Sequence, residues 1–432
     1  MKLDKLKHLR VAVWGYGLEG KATAAYLSLR CPSLDFTVLC KSDEIDKQPW
    51  SFFTEEIDAK QLSQYDVVIK SPGISPYQYC VENASCQIIS SSALWFDNER
   101  NGTVIAVTGT KGKSTTSAML NHVLLEMGFK SVLAGNFGLP LISCLDDYDF
   151  VVLETSSYQS QDGSIAAEIA VLLNLYSEHL NWHQNEQQYH LDKWCLINQS
   201  SQVVLNAKDS NSLKLFKKQP PQSSCHWFNE THGFYVLQDV LMYQDKALMS
   251  KHGWALKGEH NLINAAAVCT VTQLLKLDIK PCINAIKSFQ PLPHRLQTVL
   301  TLDGVTYIND SISSTPHATL AALNTLERHK TIVLVGGFDR GVDWSWWVES
   351  IKEAPPKMII CSGENGEKIH QLILNQKIKT QSMYYEQLSR AVQVAKQHAQ
   401  SGQVVLLSPG APSFDAFENY QHRGEQFKQW IK

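Results

Sequence analysis

The chain has 432 residues, 44% of them hydrophobic and 19% charged, a globular composition that excludes extended disorder and supplies apolar material for several cores. At about 150 residues per domain, two to four domains are expected, with three as the starting assumption. The 39 Lys and Arg against 42 Asp and Glu leave a formal net charge of −3, which excludes a broad basic face for nucleic acid or anionic lipid and points to small-molecule partners.

The opening stretch MKLDKLKHLRVAVWGYG has no apolar core ending in a small-residue cleavage site, and no apolar run approaches about 18 residues, so a cytoplasmic protein without membrane insertion is expected. Ten cysteines stand singly without a C-x-x-C, which reads as reduced, mostly buried thiols. The first element is a strand at Val11-Ala-Val-Trp14, followed by the glycine turn GYGLEG and a helix beginning KATAAYLSL. Strands at Phe36–Cys40 and Val67–Ile69 complete a small doubly wound sheet, the last running into Ser71-Pro-Gly73. A dinucleotide site would close the second strand on Asp or Glu, and this one closes on Cys40-Lys41-Ser42, so NAD is disfavoured. The glycine turn alone is compatible with a bound phosphate or with tight strand-helix packing.

A second segment begins near residue 95 with Val104–Val107, and strands at Phe150–Leu153 and Ala170–Leu173 alternate with helices, implying a mainly parallel sheet. Between strand and helix lies AVTGTKGKST, residues 106 to 115. It is shorter than G-x-x-x-x-G-K-[ST], whose first glycine would fall on Val107, yet it meets both context tests of a phosphate-binding loop. Lys113 at the mouth of the helix would bridge phosphates, and the Ser114 hydroxyl would reach Mg²⁺. A magnesium held by a hydroxyl and phosphates needs a carboxylate, and the next strand ends on Glu154. The strand after that ends NLYSEHLNWH, which places Asn174, Glu178 and His179 at the same edge. His179 reads as a second-metal ligand; His183 lacks that support and reads as surface. Residues 203 to 257 look strand-rich and irregular, a helix starts near Gly258, and QPLPHR at 290 to 295 looks like a linker. The last segment repeats the pattern, its strands emptying into GGFDRG and SPGAPS.

Thr108-Gly109-Thr110-Lys111-Gly112-Lys113-Ser114-Thr115, Glu154, Asn174 to His179, Gly258 to Asn264, Leu292-Pro-His-Arg295 and Asn309-Asp310-Ser311 together resemble the Mur ligases of peptidoglycan synthesis, in order and spacing, over nearly the whole chain. The resemblance implies an α/β protein of three domains: residues 1–94, a Rossmann-like domain for the UDP-sugar; 95–292, a P-loop domain for ATP; and 293–432, a Rossmann-like domain bringing the amino acid. GYGLEG, SPGIS and the ending SPGAPSFDAFENYQHRGEQF are most similar to the family's glutamate-adding member, which joins glutamate to UDP-N-acetylmuramoyl-L-alanine.

Carried over by residue, the resemblance implies that Gly109 to Thr115 hold the ATP phosphates, Ser114, Glu154 and His179 two Mg²⁺ ions, and Asn264 and Arg295 the nucleotide. Asp310 would reach ATP from the third domain, and Leu18, Ser71, Gly73 and Asn136 would line the UDP-sugar site. Lys193, four residues after Tyr189 as in the family, matches a lysine that CO₂ converts to a carbamate and metal ligand. The family's glutamate-adding member commonly reads N-D-S-K-A-T-N where this chain reads Asn309-Asp-Ser-Ile312-Ser-Ser-Thr-Pro316, so a lysine that helps hold glutamate is replaced by isoleucine. Arg340, Ser413 and Tyr420 remain as candidates for glutamate, and Arg340 could hold a carboxylate through two parallel bonds. The substitution leaves stereochemistry open, with D-glutamate slightly ahead of an L-glutamate-adding branch. A different amide ligase of the superfamily and a non-catalytic sensor of cell-wall precursors are the alternatives; a monomer is expected.

Overall fold

Each predicted strand of the first segment pairs parallel with its neighbours. A computed structural model of the chain describes residues 1–256 and 258–432. Its first sheet has the order β3-β2-β1-β4-β5, from β1 (Val11–Trp14), β2 (Phe36–Leu39), β3 (Ser51–Phe53), β4 (Val67–Lys70) and β5 (Gln87–Ile89). The order reverses between β1 and β4, so their loops, GYGLEG and SPGIS, face each other across the crevice where ligands of such sheets bind. Gly20 is sterically required there, because a Cβ would lie 1.9 Å from the carbonyl oxygen of Gly15.

The second sheet has the order β11-β10-β9-β6-β8-β7, from β6 (Thr103–Thr108), β7 (Ser131–Gly135), β8 (Phe150–Glu154), β9 (Ile169–Leu172), β10 (Gln202–Asn206) and β11 (Ser224–Phe228), all parallel. The central strands are buried on both faces, as near-continuous runs such as Val104–Val107 require. The strand-rich stretch becomes an antiparallel sheet of β12 (Phe234–Leu237), β13 (Val240–Tyr243) and β14 (Lys246–Ser250). Leu94 and Trp95, at the expected junction of the first two domains, are fully buried in one apolar core with residues of both parallel sheets. Burial of a side chain the size of Trp95 is worth about 2–3 kcal/mol, and its indole donates to the carbonyl of Cys144 at 2.8 Å.

By contacts the chain forms two compact units, Met1–Phe289 and Gln290–Lys432. The second unit has the order β15-β16-β20-β17-β18-β19, from β15 (Gln297–Leu302), β16 (Val305–Asn309), β17 (Thr331–Val335), β18 (Met358–Ser362), β19 (Gln381–Tyr385) and β20 (Val404–Leu407); only the β15 edge is antiparallel. Separate apolar clusters cover its two faces, which makes it doubly wound. Among the described residues, no helix is long and apolar enough to cross a membrane.

Candidate active site

The loop after β6 turns on Gly109 (φ +150°) and Gly112 (φ +88°), and the helix Lys113–Glu126 starts there with its free N–H groups directed at the loop. A Cβ on Gly112 would lie 2.7 Å from Oδ1 of Asn264, so the glycine also admits the helix Glu259–Leu274 to the loop and puts Asn264 beside it. Asn174, just past β9, brackets the loop: its Oδ1 accepts from the N–H of Lys111 at 2.8 Å and its amide donates to the carbonyl of Lys111 at 3.1 Å. Thr110 bonds the hydroxyl of Tyr189 at 2.9 Å, while Lys113 folds back onto the carbonyls of Gly109 and Thr110 at 3.0 and 3.1 Å. Ser114 and Thr115 are buried on the first helical turn.

Glu154 ends β8 beside Val107 and Gly135, and it is 1% exposed. Its Oε1 accepts from the amide of Asn136 at 2.7 Å, whereas its Oε2 is buried without a hydrogen-bond partner. A buried carboxylate oxygen left so is costly unless a cation meets it. Asn136 thus touches Glu154 itself.

Lys193 lies on the helix Glu186–Gln199, which Asn185 caps by accepting from the N–H of Gln188 at 2.9 Å. The spacing from Tyr189 to Lys193 puts both on one face, and the ammonium lies 5.2 Å from the Tyr189 ring. Lys193 is 1% exposed and donates to Oγ1 of Thr108 at 3.3 Å. Burial, then the charge of Lys113, holds its pKa well below the usual lysine range, against the pull of Glu178 and Glu154.

His179 is half-exposed and sits 3.8 Å from Glu178, in the left-handed region at φ 57°. Burial lowers its pKa, opposed by Glu178 and reinforced by Lys113 and Lys193. Burial would raise Glu178, but the charge and hydrogen bond of Lys111 outweigh that and leave it lowered. No group of three or more His, Cys, Asp or Glu able to hold a metal occurs among the described residues. A cation here would draw on Ser114, Glu154, His179 and a modified Lys193.

His183 corrects the expectation of a surface residue: it is fully buried. Its Nδ1 bonds Oδ2 of Asp192, and its Nε2 pairs with Oγ of Ser157 at 2.9 Å. Helical spacing does not signal this pair, because the chain turns at Gln184 and Asn185 between the two residues.

At the first sheet's crevice Leu18 is exposed, Ser71 donates to the carbonyl of Gly15 at 3.1 Å, and the carbonyl of Gly73 accepts from Trp182 at 3.0 Å. Two neighbours not anticipated from the sequence are ionisable. Lys70 donates to the carbonyl of Ile74 at 2.6 Å, and burial pushes its pKa down to about 8; burial raises Glu19, which accepts from Ser91 and from Gln159.

In the Gln290–Lys432 unit, Asp310 follows β16 and is buried beneath the loop from Ser311 to Thr315. It accepts from the N–H of Leu296 at 3.1 Å and from the hydroxyls of Ser313 and Ser408. Arg423 binds the same loop to SPGAPS, donating to Ser311, Ala411 and Pro412 at 2.9 to 3.0 Å. Arg340 is exposed, anchored to the carbonyl of Ser314 at 3.0 Å; Ser413 is buried; and the carbonyl of Tyr420 accepts from Ser311 at 2.8 Å. The glutamate candidates thus share one loop cluster.

Burial raises Asp310 from 3.8 to about 6. A carboxyl raised on folding contributes stability that is fully present below its unfolded value and lost as pH rises through its folded one, here about 3 kcal/mol between pH 4 and 6. Urea titrations of the full chain at pH 4.5 and 7 are expected to show this fall in the wild type and a flatter response in Asp310→Asn. Parallel profiles in the two proteins would contradict it.

Two family models match: the Mur ligase middle domain over residues 107–272, and the Mur ligase, glutamate ligase domain over 294–410. A protein of Xanthomonas euvesicatoria pv. vesicatoria named UDP-N-acetylmuramoyl-L-alanine--L-glutamate ligase is 39% identical, over 99% of this chain and 96% of its own. A protein of the same name from Salinispora tropica is 30% identical over 100% and 99%. Among solved structures, the UDP-N-acetylmuramate-alanine ligase MurC of Thermotoga maritima superposes with a TM-score of 0.62 at 17% identity, covering 98% of this chain and 100% of its own. The matched models, the full-length relatives and the P-loop edge agree: the chain belongs to the Mur ligase family.

Proposed function

We propose that this chain is an ATP-dependent amide ligase joining L-glutamate to UDP-N-acetylmuramoyl-L-alanine. The observation that carries the chemistry is the meeting of a P-loop, a buried Glu154 oxygen without a partner and a buried, neutral-leaning Lys193 at one sheet edge. A carboxylate is a poor electrophile. The L-alanyl carboxylate therefore attacks the γ-phosphorus of ATP, releasing ADP and leaving an acyl phosphate. The amine of glutamate then adds to the carbonyl carbon, loses a proton and displaces phosphate.

The loop amides and Lys113 hold the polyanion in place and offset the charge that gathers when one anion attacks another. Ser114, Glu154, His179 and, once carbamylated, Lys193 would hold Mg²⁺. The ions would supply Lewis-acid polarisation of the phosphoryl oxygens. As a neutral amine, Lys193 can add to CO₂ with loss of one proton, which converts a buried base into the anionic ligand this edge is short of. Leu18, Ser71, Gly73 and Asn136 are assigned to the UDP-sugar, and Asn264, Arg295 and Asp310 to ATP.

Arg340 is assigned to a glutamate carboxylate, with Ser413 and Tyr420 beside it. The sequence placed D-glutamate slightly ahead, but the relatives' printed names specify L-glutamate, and Ile312 already removes the usual lysine anchor. That combination favours the L enantiomer. Phosphate release from ATP with UDP-N-acetylmuramoyl-L-alanine and each glutamate enantiomer separately tests the reading.

A further inference from the structure

The short helix Leu180–His183 is flanked by two non-glycine residues in the left-handed region, His179 at φ 57° and Gln184 at φ 69°. Such backbone is strained for residues other than glycine and persists only where surrounding contacts over-determine it. Those contacts come from two directions.

From the first sheet, the indole N–H of Trp182 donates to the carbonyl of Gly73 at 3.0 Å, and the hydroxyl of Ser75 donates to the carbonyl of Trp182 at 2.7 Å. The hydroxyl of Tyr77 donates to Oδ1 of Asp192 at 2.6 Å, and the Lys70 ammonium lies 6.0 Å from the Trp182 ring. From the P-loop sheet, Tyr158 stacks on Trp182 at 4.4 Å and 21°, and it meets His179 edge-on at 5.2 Å. Ser157 bonds His183, and His183 bonds Asp192, the residue before Lys193.

Three of the four segments bearing a proposed metal ligand are tied to this hub: the Glu154 segment through Ser157 and Tyr158, His179 through its own helix, and Lys193 through Asp192. The hub is also tied to the loop containing Ser71 and Gly73.

We propose that Trp182, with Tyr77 and Asp192, positions the metal-ligand segments according to the state of the UDP-sugar loop, so that occupancy of the sugar site tightens the metal site. The proposal rests on the function assigned above. Trp182 touches no reacting atom in this role. Its effect is a coupling between two binding events, and such coupling is reciprocal.

Mn²⁺ binding is measured by electron paramagnetic resonance on the full chain, with and without UDP-N-acetylmuramoyl-L-alanine; binding of the latter alone is measured by calorimetry. In the wild type the nucleotide sugar is expected to raise Mn²⁺ affinity about tenfold, within the usual range of such couplings. Trp182→Phe keeps an aromatic ring over Tyr158 and removes the N–H donor. In that variant the factor is expected to fall below about twofold, with Mn²⁺ affinity in the absence of sugar within about threefold of wild type. Tyr77→Phe, which removes the bond to Asp192 from a partly buried ring, is expected to shift the factor the same way and serves if Trp182→Phe fails to fold. Wild type that binds the sugar without any change in Mn²⁺ affinity, or variants that keep the full factor, would overturn the proposal and leave the function standing. Wild type that does not bind the sugar would overturn both.

Discussion

Lys193→Ala is expected to lower kcat about a thousandfold, roughly 4 kcal/mol of barrier, while the protein still folds and binds nucleotide. Burial, then the charge of Lys113, disfavours the ammonium form of Lys193 and so eases access to the neutral amine that can take up CO₂. Adding CO₂ to the neutral amine, with loss of one proton, gives an anionic carbamate, and alanine has no amine to take up CO₂. Two further readouts separate this role from packing. Wild type exposed to ¹³C-labelled bicarbonate should show a carbamate carbon signal that Lys193→Ala lacks. Short carboxylates such as acetate or propionate should restore part of the lost turnover, because they place an anion in the vacated space. A variant within tenfold of wild type would contradict the assignment.

Glu154→Gln is expected to weaken the apparent Mg²⁺ affinity at least about a hundredfold, since altering even the outer partners of metal ligands commonly costs ten- to a hundredfold. The substitution keeps the shape and can keep an oxygen for Asn136, but it turns the partnerless Oε2 into an N–H₂ donor. Stability should move the other way or stay level, because a buried carboxylate without a matched partner is itself unfavourable. Calorimetry should therefore give a thermal midpoint no lower than wild type while the Mg²⁺ titration of turnover shifts to higher concentration. Unchanged Mg²⁺ dependence would remove Glu154 from the metal site.

The P-loop edge was readable because its chemistry is local. Phosphate needs free backbone amides, glycines that open them and a lysine, and AVTGTKGKST places all of these within ten residues. Glu154 was readable because four apolar residues ending in a carboxylate describe a buried strand arriving at a ligand edge. The strands named from apolar runs and glycine turns, such as Val11–Trp14 and Phe150–Leu153, lie within a residue or two of the observed bounds, whereas short strands such as Ser51–Phe53 and Gln87–Ile89 were not read.

The hub around Trp182 was not readable. Gly73 and Trp182 are 109 residues apart and Tyr77 and Asp192 are 115, so no local pattern joins them. His183 was misplaced for the same reason: its partners Ser157 and Asp192 lie on other elements, and only the packed structure buries it. Lys70 was also hidden, since a strand-end lysine usually extends into water, whereas here its ammonium is taken up by the carbonyl of Ile74. Glutamate stereochemistry was legible only as a departure at Ile312. Removing a cation says which contact is gone and not which enantiomer the remaining Arg340 edge accepts.

The most direct test of the account is phosphate release from ATP and Mg²⁺ with UDP-N-acetylmuramoyl-L-alanine, run with L-glutamate and with D-glutamate. The account predicts turnover with L-glutamate and a product carrying one added glutamate, with D-glutamate at background. Turnover with D-glutamate alone, or with neither enantiomer, would contradict it.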